Sequence, residues 1–60
     1  MSAQIEWVEI SGTRYESQDG RIVIEQDSYG WWQWRRTDRS EIGMQRTLQA
    51  AKEQAEKENG

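Results

Sequence analysis

Two turn signals, and the alternation around them, restrict this chain more than any other feature. Asp19-Gly20 is a residue pair that strongly favours a two-residue hairpin turn. Gly30 follows Asp27-Ser28-Tyr29 and is free to take the positive φ that closes a three-residue loop with a bulge. If both turns form, Tyr15 lies opposite Ile24 and Ser17 opposite Ile22. Ile24 then lies opposite Trp34, and Gln26 opposite Trp32. Tyr15, Ile22, Ile24, Trp32 and Trp34 therefore share one face, and a slip of one residue in either hairpin scatters them. The reverse face carries Arg14, Glu16, Val23, Glu25, Trp31, Gln33 and Arg35. It is mostly polar, as expected for an antiparallel sheet with one side in water.

The rest of the chain extends this frame. Val, Ile, Trp, Tyr and Thr concentrate in the first forty-odd residues, with Gly, Asp and Ser clusters between them, which predicts strands over 5–10, 13–17, 21–26 and 31–36. Gly12 could act as a bulge that joins the first two into one bent strand. Thr37-Asp38-Arg39-Ser40 reads as a further turn, and 41–45 as a short edge strand. The period then changes. Thr47 is a natural N-cap, and 48–58 is rich in good helix formers. Leu48, Ala51 and Ala55 fall on one helix face, and Glu53 and Lys57 are spaced for an ion pair. A stripe of small residues suits close packing on large side chains. The expected fold is α+β: one domain over 1–60, an antiparallel sheet of three to four strands, and a C-terminal helix packed on one face.

Length makes the aromatic residues necessary. With 60 residues, a single core yields a net stability of only a few kcal/mol. Trp7, Trp31, Trp32, Trp34, Tyr15 and Tyr29 supply the large apolar groups, each able to bury roughly 150–250 Å². The chain has no Cys, Pro, His or Phe. Without Cys or His there is no zinc finger, thiol chemistry, haem ligation or histidine base. No P-loop or dinucleotide fingerprint is present, and no His can activate Ser or Thr. No enzyme activity, cofactor or metal site is expected. No apolar run approaches the roughly 20 residues that span a membrane, and no secretory signal is seen. The expectation is a cytoplasmic protein with no membrane contact.

The densest feature is Trp31-Trp32-Gln33-Trp34-Arg35-Arg36, with Arg39 and Arg46 nearby. The chain carries 8 basic and 11 acidic residues, for a net charge of −3, but unevenly. The net charge is −4 over 1–30, +2 over 31–46 and −1 from Thr47 onward. Trp and Arg anchor protein interfaces, and they also stack on bases and pair with phosphates. The alternation assigns Trp32 and Trp34 to the core and sets Arg14 opposite Glu25, with Arg35 diagonal to Glu25. Trp31 points to the wet face, where it could serve a partner or cover the N-terminal strand. Trp7 is open as well: Ile5 and Trp7 share one side of their strand, Val8 and Ile10 the other, and one side could meet a second chain. The candidate partner-binding set is Trp31, Arg35, Arg36 and Arg39, with Trp7. A protein partner is the first expectation, and a homodimer stays open.

A three-stranded sheet on one C-terminal helix resembles the arm-binding domains of phage integrases and the plant AP2-type domain, over about 14–58. That resemblance implies a sheet inserted into the DNA major groove. The net charge of −3, with Glu16 and Glu25 on the open face, disfavours nucleic acid as a partner. The pattern Arg14-Tyr15, Asp19-Gly20-Arg21-Ile22, Ile24, Gly30-Trp31, Thr47-Leu48, Ala51-Lys52 and Ala55-Glu56 looks like small proteins of phages and prophages. It implies an accessory or host-directed role and no reaction.

Overall fold

The computed structural model describes residues 5–59. Five strands, β1 (Trp7–Ser11), β2 (Arg14–Ser17), β3 (Ile22–Gln26), β4 (Trp32–Arg36) and β5 (Ile42–Gln45), precede one helix, α1 (Leu48–Asn59). The strands form a single antiparallel sheet in the order β1-β2-β3-β4-β5. The sheet thus has five strands rather than three to four. Both added edges form: β5 pairs along β4, and β1 folds back on β2. Gly12 does not bridge one bent strand. It sits with Thr13 in the connection between β1 and β2, while the irregularity in the β1 ladder lies between Glu9 and Ser11.

The hairpin registers are those predicted from the alternation. Tyr15 pairs with Ile24, Ile24 with Trp34 and Gln26 with Trp32. At the second turn Gly30 has φ +92° and its N–H donates to the Asp27 carbonyl at 3.1 Å. Asp27 Oδ1 accepts from the N–H groups of Tyr29 and Trp31, both at 2.9 Å, and so holds the loop from inside. The first turn keeps its register but is wider than two residues. The Ser17 carbonyl accepts from Gly20 N–H at 2.9 Å, Gly20 takes φ +76°, and β3 begins only at Ile22. Ser17 explains the widening. Its Oγ accepts from Ile22 N–H at 2.9 Å in place of the ladder carbonyl, and donates to Asp19 Oδ1 at 2.7 Å.

The helix covers one face of the sheet. Ile22, Ile24, Trp34, Ala51 and Ala55 form the buried cluster, with Ile5, Trp7, Tyr15, Trp32 and Leu48 packed around it. Ala51 and Ala55 are fully buried, and their small side chains let the helix settle onto the Trp34 ring. Trp34 Nε1 donates to Gln54 Oε1 at 2.7 Å, and Gln45 Nε2 donates to the same oxygen at 2.7 Å. One glutamine therefore ties α1 to β4 and β5. Gly43 faces Trp34 across the ladder and leaves the space that the indole fills. Thr47 caps the helix by accepting from Ala50 N–H at 3.1 Å. Glu53 accepts from Gln49 at 3.2 Å, within the helix face where a pair with Lys57 was expected. No helix among the described residues is long and apolar enough to cross a membrane.

Candidate interaction surface

Among the described residues nothing packs over the face opposite the helix, and alternation dictates what this open face displays. Across the sheet, Val8, Glu16, Val23, Arg35 and Ile42 stand in one row, each paired with the next. Ser11, Arg14, Glu25, Gln33 and Met44 form the adjacent row, and Ile10 lies beside it in the irregularity of the β1 ladder. The centre is charged and the two edges are apolar. Val8 and Ile10 on β1 are 46% and 52% exposed, and Ile42 and Met44 on β5 are 60% and 49% exposed.

The central charges are already paired. Arg14 reaches Glu16 and Glu25, each at 3.1 Å, and Arg35 reaches Glu25 at 3.5 Å. These half-exposed pairs contribute little individually to stability. Their effect is to order the side chains and to neutralise the face. Val23 sits between Glu16 and Arg35 and is only 6% exposed, though no helix covers it. Long charged side chains shield apolar surface with their aliphatic stems, and this accounts for its burial.

Trp31 stands at one corner of this face. The Arg46 guanidinium lies over its ring, 5.3 Å from the centroid. Tyr29, Gly30, Trp31 and Arg46 line a shallow recess of about 280 Å³. Tyr29 lies at the loop tip and adds nothing to the core, contrary to its expected part in the buried aromatic mass.

The candidate partner-binding residues do not form one surface. Trp31 and Arg35 lie on the open face. Arg36 points the other way: it pairs with Ile22, and its side chain is 2% exposed. Its Nε donates to Asp38 Oδ1 at 3.1 Å and lies 3.7 Å from Glu41 Oε1. These hydrogen bonds and charges raise the Arg36 pKa against the opposing effect of burial, and hold the Asp38 carboxyl below its ordinary value. Arg36 is thus a buried anchor for the β4–β5 loop. Arg39 lies in that loop, 3.4 Å from Glu41, at the end of β4 away from Trp31. Trp7 turns to the helix side, where its Nε1 donates to Glu56 Oε2 at 3.1 Å. The two-residue period already set Arg36 beside Trp34 on the core face. The signal for the apolar edges was equally local, in Val8-Glu9-Ile10 and Ile42-Gly43-Met44. The partnership of Arg46 with Trp31 had no local signal, because it depends on the β4–β5 register.

Among the described residues, no group of three or more His, Cys, Asp and Glu side chains is arranged to hold a metal ion. Comparison with known protein families, with characterised proteins and with solved structures returns no match.

Proposed function

We propose that this protein is a small non-enzymatic interaction module that holds a protein partner against the open face of its sheet, with Trp31 and Arg46 at one corner. The observation that carries this reading is the set of exposed apolar side chains at both margins of a face that the helix leaves uncovered. Single exposed apolar residues need no explanation, but here they gather on both edge strands, on either side of an ordered charged centre. The arrangement suits recognition: apolar edges supply contact area, and the ordered charges between them select orientation. The texture of the chain, from the Asp19-Gly20-Arg21 hairpin to the Thr47-Leu48 helix start, supports an accessory role of phage type within this reading. DNA is a poorer occupant, since Arg14 and Arg35 are engaged by Glu16 and Glu25. The test is capture of binding partners by immobilised wild-type protein, Ile42→Asp and Trp31→Ala. Recovery that falls in both variants, each still cooperatively folded, supports the open face. Undiminished recovery in both refutes it.

A further inference from the structure

Read across the strands, the central row of the open face is Val8, Glu16, Val23, Arg35 and Ile42: apolar, acidic, apolar, basic, apolar. This order is complementary to its own reverse. Turned end for end, it sets apolar side chains against apolar ones and acid against base at every position. From this we infer that the partner on the open face is a second copy of the same chain. The two sheets would stack about a two-fold axis that runs parallel to the strands and passes over β3. The inference rests on the open face being a binding surface, as proposed above, and names its occupant.

The two-fold operation specifies the contacts. Rotation about such an axis keeps each residue at its level along the strands and exchanges β1 with β5 and β2 with β4. Val8 then faces Ile42 of the second copy and Glu16 faces Arg35, while Val23, shielded by the stems of its neighbours, lies on the axis. In the adjacent row Met44 comes over Ser11, with Ile10 beside it on the β1 margin. Glu25 meets its own counterpart at the axis, but each copy is flanked by Arg14 at 3.1 Å and Arg35 at 3.5 Å within its own chain. Aligned sheets pack about 10 Å apart and rotate by roughly 30°, which leaves positions one strand from the axis within reach of long side chains. A two-fold contact of this kind is closed, and it uses the same patch on both chains.

Size sets the strength. Strand spacing near 4.8 Å and a rise near 3.3 Å per residue make the face about 19 by 17 Å, or ~320 Å² in plane. Counted on both chains this is ~640 Å², below the size of stable specific interfaces, so the dimer is weak and depends on concentration.

The test is sedimentation equilibrium on the full chain from micromolar concentration up to about 1 mM, a range that spans weak dissociation constants. Wild-type mass is expected to rise from 7.1 kDa toward twice that value. Glu16→Arg alone and Arg35→Glu alone each place like charges together twice in the dimer, and each should weaken association about tenfold or more. Mixed in equal amounts, the two variants restore both opposite-charge contacts and should associate again. Circular dichroism melts confirm that each variant is folded, and Gln33→Glu provides a charge change outside the complementary row. Recovery in the mixture alone supports the inference. Variants that associate as wild type does, or a mixture that stays monomeric while wild type dimerises, overturn it. A wild-type mass that stays near 7.1 kDa throughout also overturns it, and does so without touching the broader reading, which the Ile42→Asp capture decides separately.

Discussion

Gly43 is the position where a single methyl group tests the core most directly. Its place opposite Trp34 puts an added Cβ 2.5 Å from Cε2 and 2.8 Å from Cζ2 of the indole, and closer still to Nε1. Carbon atoms sit comfortably at about 3.5–4.0 Å, so Gly43→Ala requires a displacement of about 1 Å. The ring cannot yield easily. Its Nε1 is held by Gln54 at 2.7 Å, and fully buried Ala51 and Ala55 belong to the same cluster. Overpacking of this kind costs about 1–3 kcal/mol. Replacing glycine also removes freedom from the unfolded chain, an opposing gain of about 0.4–1 kcal/mol. Strain is the larger effect, and the net loss should be about 1–2 kcal/mol. For a domain of this size that lowers Tm by about 5–15 °C. Thermal and urea melts followed by far-ultraviolet circular dichroism measure it without relying on tryptophan emission. A double-mutant cycle isolates the cause. Trp34→Leu alone should cost more than Gly43→Ala, because it removes the ring and the Gln54 bond. In that background Gly43→Ala should cost little, giving a coupling of about 1 kcal/mol or more. A Gly43→Ala protein that melts with or above wild type, or additive losses in the cycle, would refute the account of Gly43 as the space for Trp34.

Other positions give further expectations. Ser17→Ala strands the buried Ile22 N–H and should cost about 1–3 kcal/mol, whereas Ser17→Thr should retain part of the loss; chemical denaturation compares them. Thr47→Ala removes the helix cap and should lower stability by about 0.5–2 kcal/mol, with Thr47→Asp close to wild type in the same assay. Asp19 is held below its ordinary pKa by the Ser17 hydroxyl and the Arg21 N–H, and Asp38 by Arg36. A carboxyl depressed on folding adds stability above its unfolded pKa, about 3.9, and that contribution vanishes as pH falls through the folded value. Tm should therefore hold nearly level from neutral pH to about 5 and fall below about 4. The Asp19→Asn, Asp38→Asn double variant should begin lower and fall less. An equal fall in both proteins would show that these two carboxyls do not carry the acid sensitivity.

Much of this fold was legible because the strongest signals are local. Asp27-Ser28-Tyr29-Gly30 and the alternation on either side specify one register, and that register alone sends Trp32 and Trp34 inward and Trp31 outward. Thr47 and the Leu48, Ala51, Ala55 stripe likewise announce a helix and its buried face. The strand count was harder to see. Gly12 is compatible with both a bulge and a turn, and only pairing of β1 along β2 decides between them. The site divides in the same way. Trp31 and Arg35 stand on the expected face, whereas clustering of arginines in sequence concealed that Arg36 has the inward parity. Trp7 was ambiguous because its strand is apolar on both sides, and the Glu56 carboxylate that receives its N–H lies 49 residues away.

The order of the sheet has a consequence for how the chain folds. Every strand pairs with its neighbour in sequence, so each pairing closes only a short loop and little entropy opposes it. Hairpins can therefore form one after another, each templating the next. Closure of the helix over the completed meander is the step that spans the chain, since Trp7 and Glu56 meet only then. Folding should be fast for a protein this rich in strand, with its barrier at helix docking. Substitutions at Ala51 or Ala55 would then slow folding, and those in the Gly30 turn would do so only if that hairpin forms the nucleus.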